Sequence, residues 1–173
     1  MPLTPFHFGP GALIKAWLLR RFSLLVFCYA QVLMDIEVVY RVFSGQLALH
    51  GPLHSYPGAL AVALVCAVTS RPLYLALNFC WRLVSGRRIP LSLPEGRVIL
   101  FSAIVGTLSH VFLDSIMHPD LEPFWPFASG NPCLDLLSFE NLHIVCVLTL
   151  IGGALWYSLG RFLARNVKPE REN

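Results

Sequence analysis

The sequence predicts an all-α, polytopic membrane protein with about four membrane-embedded segments. Three observations lead there. Hydrophobic residues make up 55% of the 173-residue chain and charged residues only 13%, about half the charged share of a soluble domain. The mean hydropathy is +0.62. The apolar residues also fall in runs of membrane length, and within lipid only helices and closed barrels satisfy every backbone polar group. The length fits a single domain, residues 1–173. A net charge of +3 is too small and too segregated for a nucleic-acid partner, and no basic–aromatic patch accompanies it.

Residues 1–10 are Pro-rich and carry His7 in Thr4-Pro-Phe-His-Phe-Gly-Pro10. They lack a basic n-region and a small-residue cleavage site, so no cleavable leader is expected. A short apolar helix over Ala12–Leu19 follows and stops at Arg20-Arg21. At about 1.5 Å per residue it cannot cross a bilayer core of about 30 Å. Phe22–Phe43 is the first spanning candidate, apolar through Met34 apart from Ser23 and Gln31, then interrupted by Asp35-Ile-Glu37. Asp35 and Glu37 point to different sides of a helix, so one of them is expected to face a site. Asp35 is either a metal ligand or a general base, or else a solvated helix end.

His50-Gly-Pro-Leu-His54 follows, two imidazoles four residues apart, with Gly51-Pro52 arguing against a regular helix. Gly58–Ser70 is a second apolar run, ended by Arg71-Pro72 and resumed by Leu73–Val84. Ser70 can cap a new helix there, with proline in its first turn. The expectation is a kinked span, or a span followed by an amphipathic surface helix. Ser85–Arg97 reads as a polar loop.

Val98–Ile116 is the next span, and it ends in Ser109-His110-Val-Phe-Leu-Asp114 with His118 beyond. His110 and Asp114 share one helical face, about 6 Å apart at Cβ. Such a pair can hold a divalent metal, or it can fasten helices together through a hydrogen bond. His118–Glu140 is a long loop rich in proline and aromatics, fitted to be a lid or an interfacial rim. Asn141–Ala164 is the last span, with His143 near its start. The five cysteines show no metal or disulfide spacing, although Cys133 and Cys146 could pair.

Arg and Lys cluster at 15–21, 71–97 and 161–171, which hold 12 of the 13 basic residues. The positive-inside rule places these groups in the cytoplasm. Alternation of the spans then carries Asp35, His50, His54, His110, Asp114 and His118 to the extracytoplasmic end. His7 joins them if the short first helix rises from Arg20 toward that face. Residues far apart in sequence thus gather at one membrane depth, which favours a metal site over helix packing alone.

The order His7, Asp35-Ile-Glu37, His50-Gly-Pro-Leu-His54-Ser55, Ser109-His110-Val-Phe-Leu-Asp114 and Trp125-Pro126 resembles a family of membrane-bound, metal-dependent hydrolases described as LexA-binding and inner-membrane-associated. The likeness covers roughly residues 5–127, and Leu108–Ser115 with the downstream Trp-Pro is its most specific part. The His50–His54 pair is one residue closer than in the family motif and lacks its Arg and Thr. The acidic turn has Asp-x-Glu where the family has Asp-x-Asp. The His110–Asp114 spacing is also similar to a ligand pair of zinc-dependent phospholipase C.

This resemblance implies metal-dependent hydrolysis in the cytoplasmic (inner) membrane. His7, His110 and Asp114 would be ligands, His50 or His54 would complete the shell, and Asp35 would be a bridging ligand or the base. Zinc suits imidazole with carboxylate, and manganese is the alternative. A site at lipid depth points to a membrane lipid or lipid-linked phosphoester as substrate. The rival readings are a non-enzymatic metal-binding or metal-translocating membrane protein, and a structural or partner-binding one.

Overall fold

The computed structural model describes residues 4–87 and 91–166. Residues 88–90 of the polar loop and 167–173 of the charged tail lie outside the described residues. The protein is all-helical among the described residues. A 3₁₀ turn at Thr4–His7 leads into α1 (Phe8–Leu18), followed by α2 (Leu24–Phe43), α3 (Tyr56–Ser85), α4 (Gly96–Met117) and α5 (Phe139–Asn166). Three of these, α3, α4 and α5, are long and apolar enough to cross a membrane. At 20 residues α2 is of similar length, but its second half carries Asp35, Glu37 and Arg41.

Local chemistry sets the ends of these helices. Ser23 caps α2 by accepting a hydrogen bond from Val26 N, and Ser55 caps α3 by accepting one from Gly58 N. α3 closes on Gly86 in the left-handed conformation at φ 67°. The first helix starts four residues earlier than the sequence indicates, because Pro10 sits in its first turn, where its missing N–H costs nothing.

Of the two expectations for Arg71-Pro72, a separate surface helix after the span does not form. α3 runs through Pro72 as one 30-residue helix. Ser70 caps nothing there; its hydroxyl donates to the Cys66 carbonyl four residues back, at 2.7 Å. Tyr74 lies beside Ser23 at the start of α2, its hydroxyl 3.0 Å from Ser23 Oγ. The last eleven residues of α3 therefore run past the start of α2, where Asn78 donates to the Leu91 carbonyl of the returning loop at 3.3 Å.

α4 is the centre of the bundle and packs against α2 and α3. Gly106 permits the closest approach, since a Cβ there would press on Ala30 and the Phe27 backbone of α2. Val26, Ala30, Ala63, Cys66, Ile99 and Ala103 fill the contact as one buried cluster. α5 packs chiefly on α1. Gly9 meets the Cys146 carbonyl and Gly153 meets the Ala12–Leu13 backbone, so small residues let the two helices nearly touch. All five cysteines are unpaired thiols, Cys133 and Cys146 included.

Candidate metal centre

Alternating helix directions bring one end of each of α1, α2, α3 and α4 together, and every sequence-predicted site residue lies there. His7 ends the 3₁₀ turn before α1 and is 3% exposed; His54 and His110 are fully buried, and Asp114 is 4% exposed. His50 and His54 come from the connector between α2 and α3, which forms a 3₁₀ turn over Pro52–His54. His118 is the residue after α4, and its N–H still bonds to the Asp114 carbonyl at 2.9 Å. The Asn131 amide holds that helix end by donating to the Ser115 and His118 carbonyls at 2.7 and 3.0 Å.

Five imidazoles touch in an unbroken chain. Ring centroids are 4.8 Å apart for His7–His110, 5.4 Å for His110–His54, 5.0 Å for His54–His50 and 4.3 Å for His50–His118. Asp114 sits among them. Its Oδ1 is 3.3 Å from His7 Nε2 and 3.9 Å from His118 Nε2. Its Oδ2 is 3.1 Å from His110 Nε2 and 3.9 Å from His50 Nε2. Asp35 approaches from α2, with Oδ1 3.5 Å from His110 Nε2.

Three of the rings are anchored from behind. His50 Nδ1 lies 2.9 Å from Asp120 Oδ1, His54 Nδ1 lies 2.9 Å from Glu37 Oε2, and His110 Nδ1 lies 2.7 Å from Gln31 Oε1. Gln31 Nε2 donates to Ser109 Oγ at 3.2 Å, which turns its oxygen toward the ring. His110 Nδ1 is therefore the protonated nitrogen, and Nε2 carries the lone pair. The carboxylates behind His54 and His50 set the same tautomer, an arrangement that orients imidazoles on metals.

Inward, four buried nitrogens lack a hydrogen-bond partner among the described residues: Nδ1 and Nε2 of His7, Nε2 of His54 and Nε2 of His110. A buried polar atom without a partner is costly, and an unoccupied lone pair aimed at carboxylates is what a cation takes. Three groupings put their ligand atoms within 4.8 Å of one another: His7, His110 and Asp114; Asp35, His54 and His110; and His50, Asp114 and His118. Imidazole with carboxylate is a donor set that fits zinc or manganese.

Burial keeps the His7, His54 and His118 rings neutral. Burial pushes the His7 imidazole down to about 4, against the opposing pull of Asp114. Burial also lowers His54 and His118. Near pH 7 their lone pairs are thus available. Burial works to raise the Asp120 carboxyl, but hydrogen bonds from the His50 ring and backbone outweigh it and hold it at about 2.

Both His50 and His54 reach the centre, and so does His118. His143 does not join any of the three groupings: its Nδ1 lies 2.7 Å from the Phe139 carbonyl, and its ring meets Phe6 edge-on and packs tilted against Phe139. As the helical spacing of Asp35 and Glu37 implies, only one of the two joins a ligand grouping. Asp35 faces the centre, and Glu37 serves it from behind by accepting from His54 and from the Gly51 N–H at 3.3 Å.

Sequence reasoning passed over Gln31 and Asp120. Gln31 had a signal: it is a lone amide in an apolar run, one helical turn before Asp35. Asp120 had none, because its partner His50 is 70 residues away. Comparison with known proteins finds no matching family model, no curated protein and no solved structure.

Proposed function

We propose that the protein is a metal-dependent hydrolase of the cytoplasmic membrane, acting on a lipid or lipid-linked phosphoester. The observation that carries this reading is the set of buried Nε2 atoms of His7, His54 and His110, left without hydrogen-bond partners around Asp114 and Asp35 while Nδ1 of His54 and of His110 is held from behind. The lipid-level substrate is supported by the position of the centre at one end of membrane-length helices. The segregation of basic residues supports an extracytoplasmic site.

His7, His50, His54, His110, His118 and Asp114 would hold the metal, zinc in the first instance and manganese as the alternative. A bound divalent cation supplies Lewis-acid polarisation of the scissile group and lowers the pKa of water. His110 appears in two of the three groupings, and Gln31 occupies its other nitrogen. It can serve one ion at a time, so at most two of the three groupings fill together. Asp114, with two oxygens, is the residue able to bridge them. Asp35 is more exposed than the other site carboxylate, with its side chain 30% accessible against 5% for Asp114. In this reading Asp35, which solvent can reach, would take a proton from attacking water.

A translocation path would need ligands continuing through the bundle. The buried polar groups deeper along α2, α3 and α4 are instead hydroxyls with internal partners. Ser102 Oγ accepts from Ser23 N at 2.9 Å, and Thr107 donates to the Ile104 carbonyl at 3.3 Å. This favours a fixed centre.

Elemental analysis of detergent-purified protein tests the proposal: one or two equivalents of divalent metal are expected. Protein that carries none and takes up none when supplied would end it. Phosphodiester, phosphomonoester and lipid-phosphate reporters then locate an activity, and Asp35→Asn assigns a role. A base loses turnover by about 10²–10⁴-fold with metal retained, whereas a ligand loses metal too. Reporter fusions at Gly51 and Ser129 are expected outside and at the C-terminus inside.

A further inference from the structure

The end of the bundle opposite the histidines carries a second built feature. Between α1 and α2, Leu19 takes φ 48° and ψ −109°, a positive-φ conformation unfavourable for a side chain of its size. Lys15 holds this turn. Its Nζ donates to the Leu19 carbonyl at 2.6 Å and to the Phe22 carbonyl at 2.8 Å. After the turn, Arg20 lines two adjoining cavities of about 620 and 720 Å³, and Arg21 lines the first of them.

Both cavities are lined by Arg20, Glu95 and Val98, and they lie between this turn and the start of α4. Among the described residues, four cations, Lys15, Arg20, Arg21 and Arg97, and one carboxylate line the two cavities. That carboxylate, Glu95, is already occupied by Arg97 Nε at 2.6 Å. The walls below are apolar, formed by Phe22, Leu25, Val98 and Phe101 among others. A general preference for basic residues at one membrane face would require neither a cavity nor a strained, lysine-clamped turn. Cations at the rim over apolar walls, at the end of a membrane-length helix, match an amphiphile with a negative head.

We infer that this cavity binds the phosphate-bearing headgroup of an anionic membrane phospholipid, at a site separate from the histidine centre. Arg20 and Arg21 contact the phosphate, and the apolar walls take the start of the acyl chains.

Native mass spectrometry of the purified chain with added phosphatidylglycerol or phosphatidylcholine tests this without reference to any activity. The wild type is expected to retain phosphatidylglycerol in preference. Arg20→Gln with Arg21→Gln is expected to reduce that preference roughly thirtyfold, and Arg21→Gln alone roughly fivefold. Glu95→Gln, which frees Arg97, is expected to increase retention. Arg161→Gln is the matched control: it removes a cation at the same end, since Tyr157 couples to both Arg161 and Lys15, but Arg161 lies outside the cavity. Equal retention of the two lipids would overturn the inference, as would an equal loss in Arg161→Gln. Displacement of the lipid by millimolar inorganic phosphate would make this a site for a soluble anion and overturn the lipid assignment. Circular dichroism confirms that each variant remains helical.

Discussion

α4 and α5 have nearly the same hydropathy over their best windows, 1.7 and 1.8, yet 61% of the α4 window is buried against 17% for α5. The difference lies in small and polar residues. α4 carries Ser102, Gly106, Thr107, His110, Asp114 and Ser115, all buried. Gly106 allows close approach, Ser102, His110 and Asp114 meet partners on other elements, and Thr107 and Ser115 donate back to α4 carbonyls. α5 turns Leu148, Ile151, Leu155, Trp156 and Leu159 outward, and touches the bundle mainly through α1. Lipid is as apolar as leucine, so a leucine-rich face has no reason to seek another helix. Buried polarity, more than hydrophobicity, marks the helix that carries the candidate centre. α5 contributes indirectly, by holding α1 and hence His7.

The sharpest way to break this contrast is to remove one polar side chain from each helix. His110→Ala or Asp114→Ala on α4 is expected to abolish stoichiometric metal binding, while His143→Ala on α5 leaves it intact. Elemental analysis of the three proteins decides it, and a metal-free His143→Ala protein would move the centre toward α5.

Next in size are the groups that support the rings. Glu37→Gln and Asp120→Asn keep shape but remove the charge behind His54 and His50. Each is expected to weaken metal affinity about 10–100-fold, read by competition with a chelator of known affinity. Unchanged affinity in both would reduce these carboxylates to loop anchors.

Packing comes third. Gly106→Leu sets a side chain against α2, and Gly153→Leu sets one against the α1 backbone. Overpacking costs about 1–3 kcal/mol at either position. The consequences differ: Gly106→Leu is expected to lower thermal stability in detergent, and Gly153→Leu to shift α1 and with it His7, weakening metal binding. Equal metal binding in Gly153→Leu and wild type would deny α5 its positioning role.

The smallest expected effect lies on the lipid face. Leu155→Ala on α5 is expected to change stability by less than about 0.5 kcal/mol. Ile116→Ala, buried on α4 beside Leu113, Leu142 and Cys146, is expected to cost about 2 kcal/mol or more. Thermal unfolding of both in the same detergent measures the gap.

Composition and the lengths of apolar runs were enough to determine an all-helical membrane protein, because a bilayer admits so few solutions. The i, i+4 spacing of His110 and Asp114 placed both on one helical face for the same kind of reason: the helical repeat is fixed. Alternating helix direction even brought the remaining histidines to that end. What the linear pattern lacked was anything set by contact between distant segments. Pro72 reads locally as a break, yet the helix continues, packed on its neighbours through Cys66 and Tyr74. Glu37 and Asp35 lie on different sides of α2, and only the return of residues 49–54 over that helix gives both a role. Asp120 behind His50 and Gln31 behind His110 are pairings across 70 and 79 residues. No local rule encodes them, because the geometry of a hydrogen bond is decided by where the helices cross and not by the spacing within any one of them.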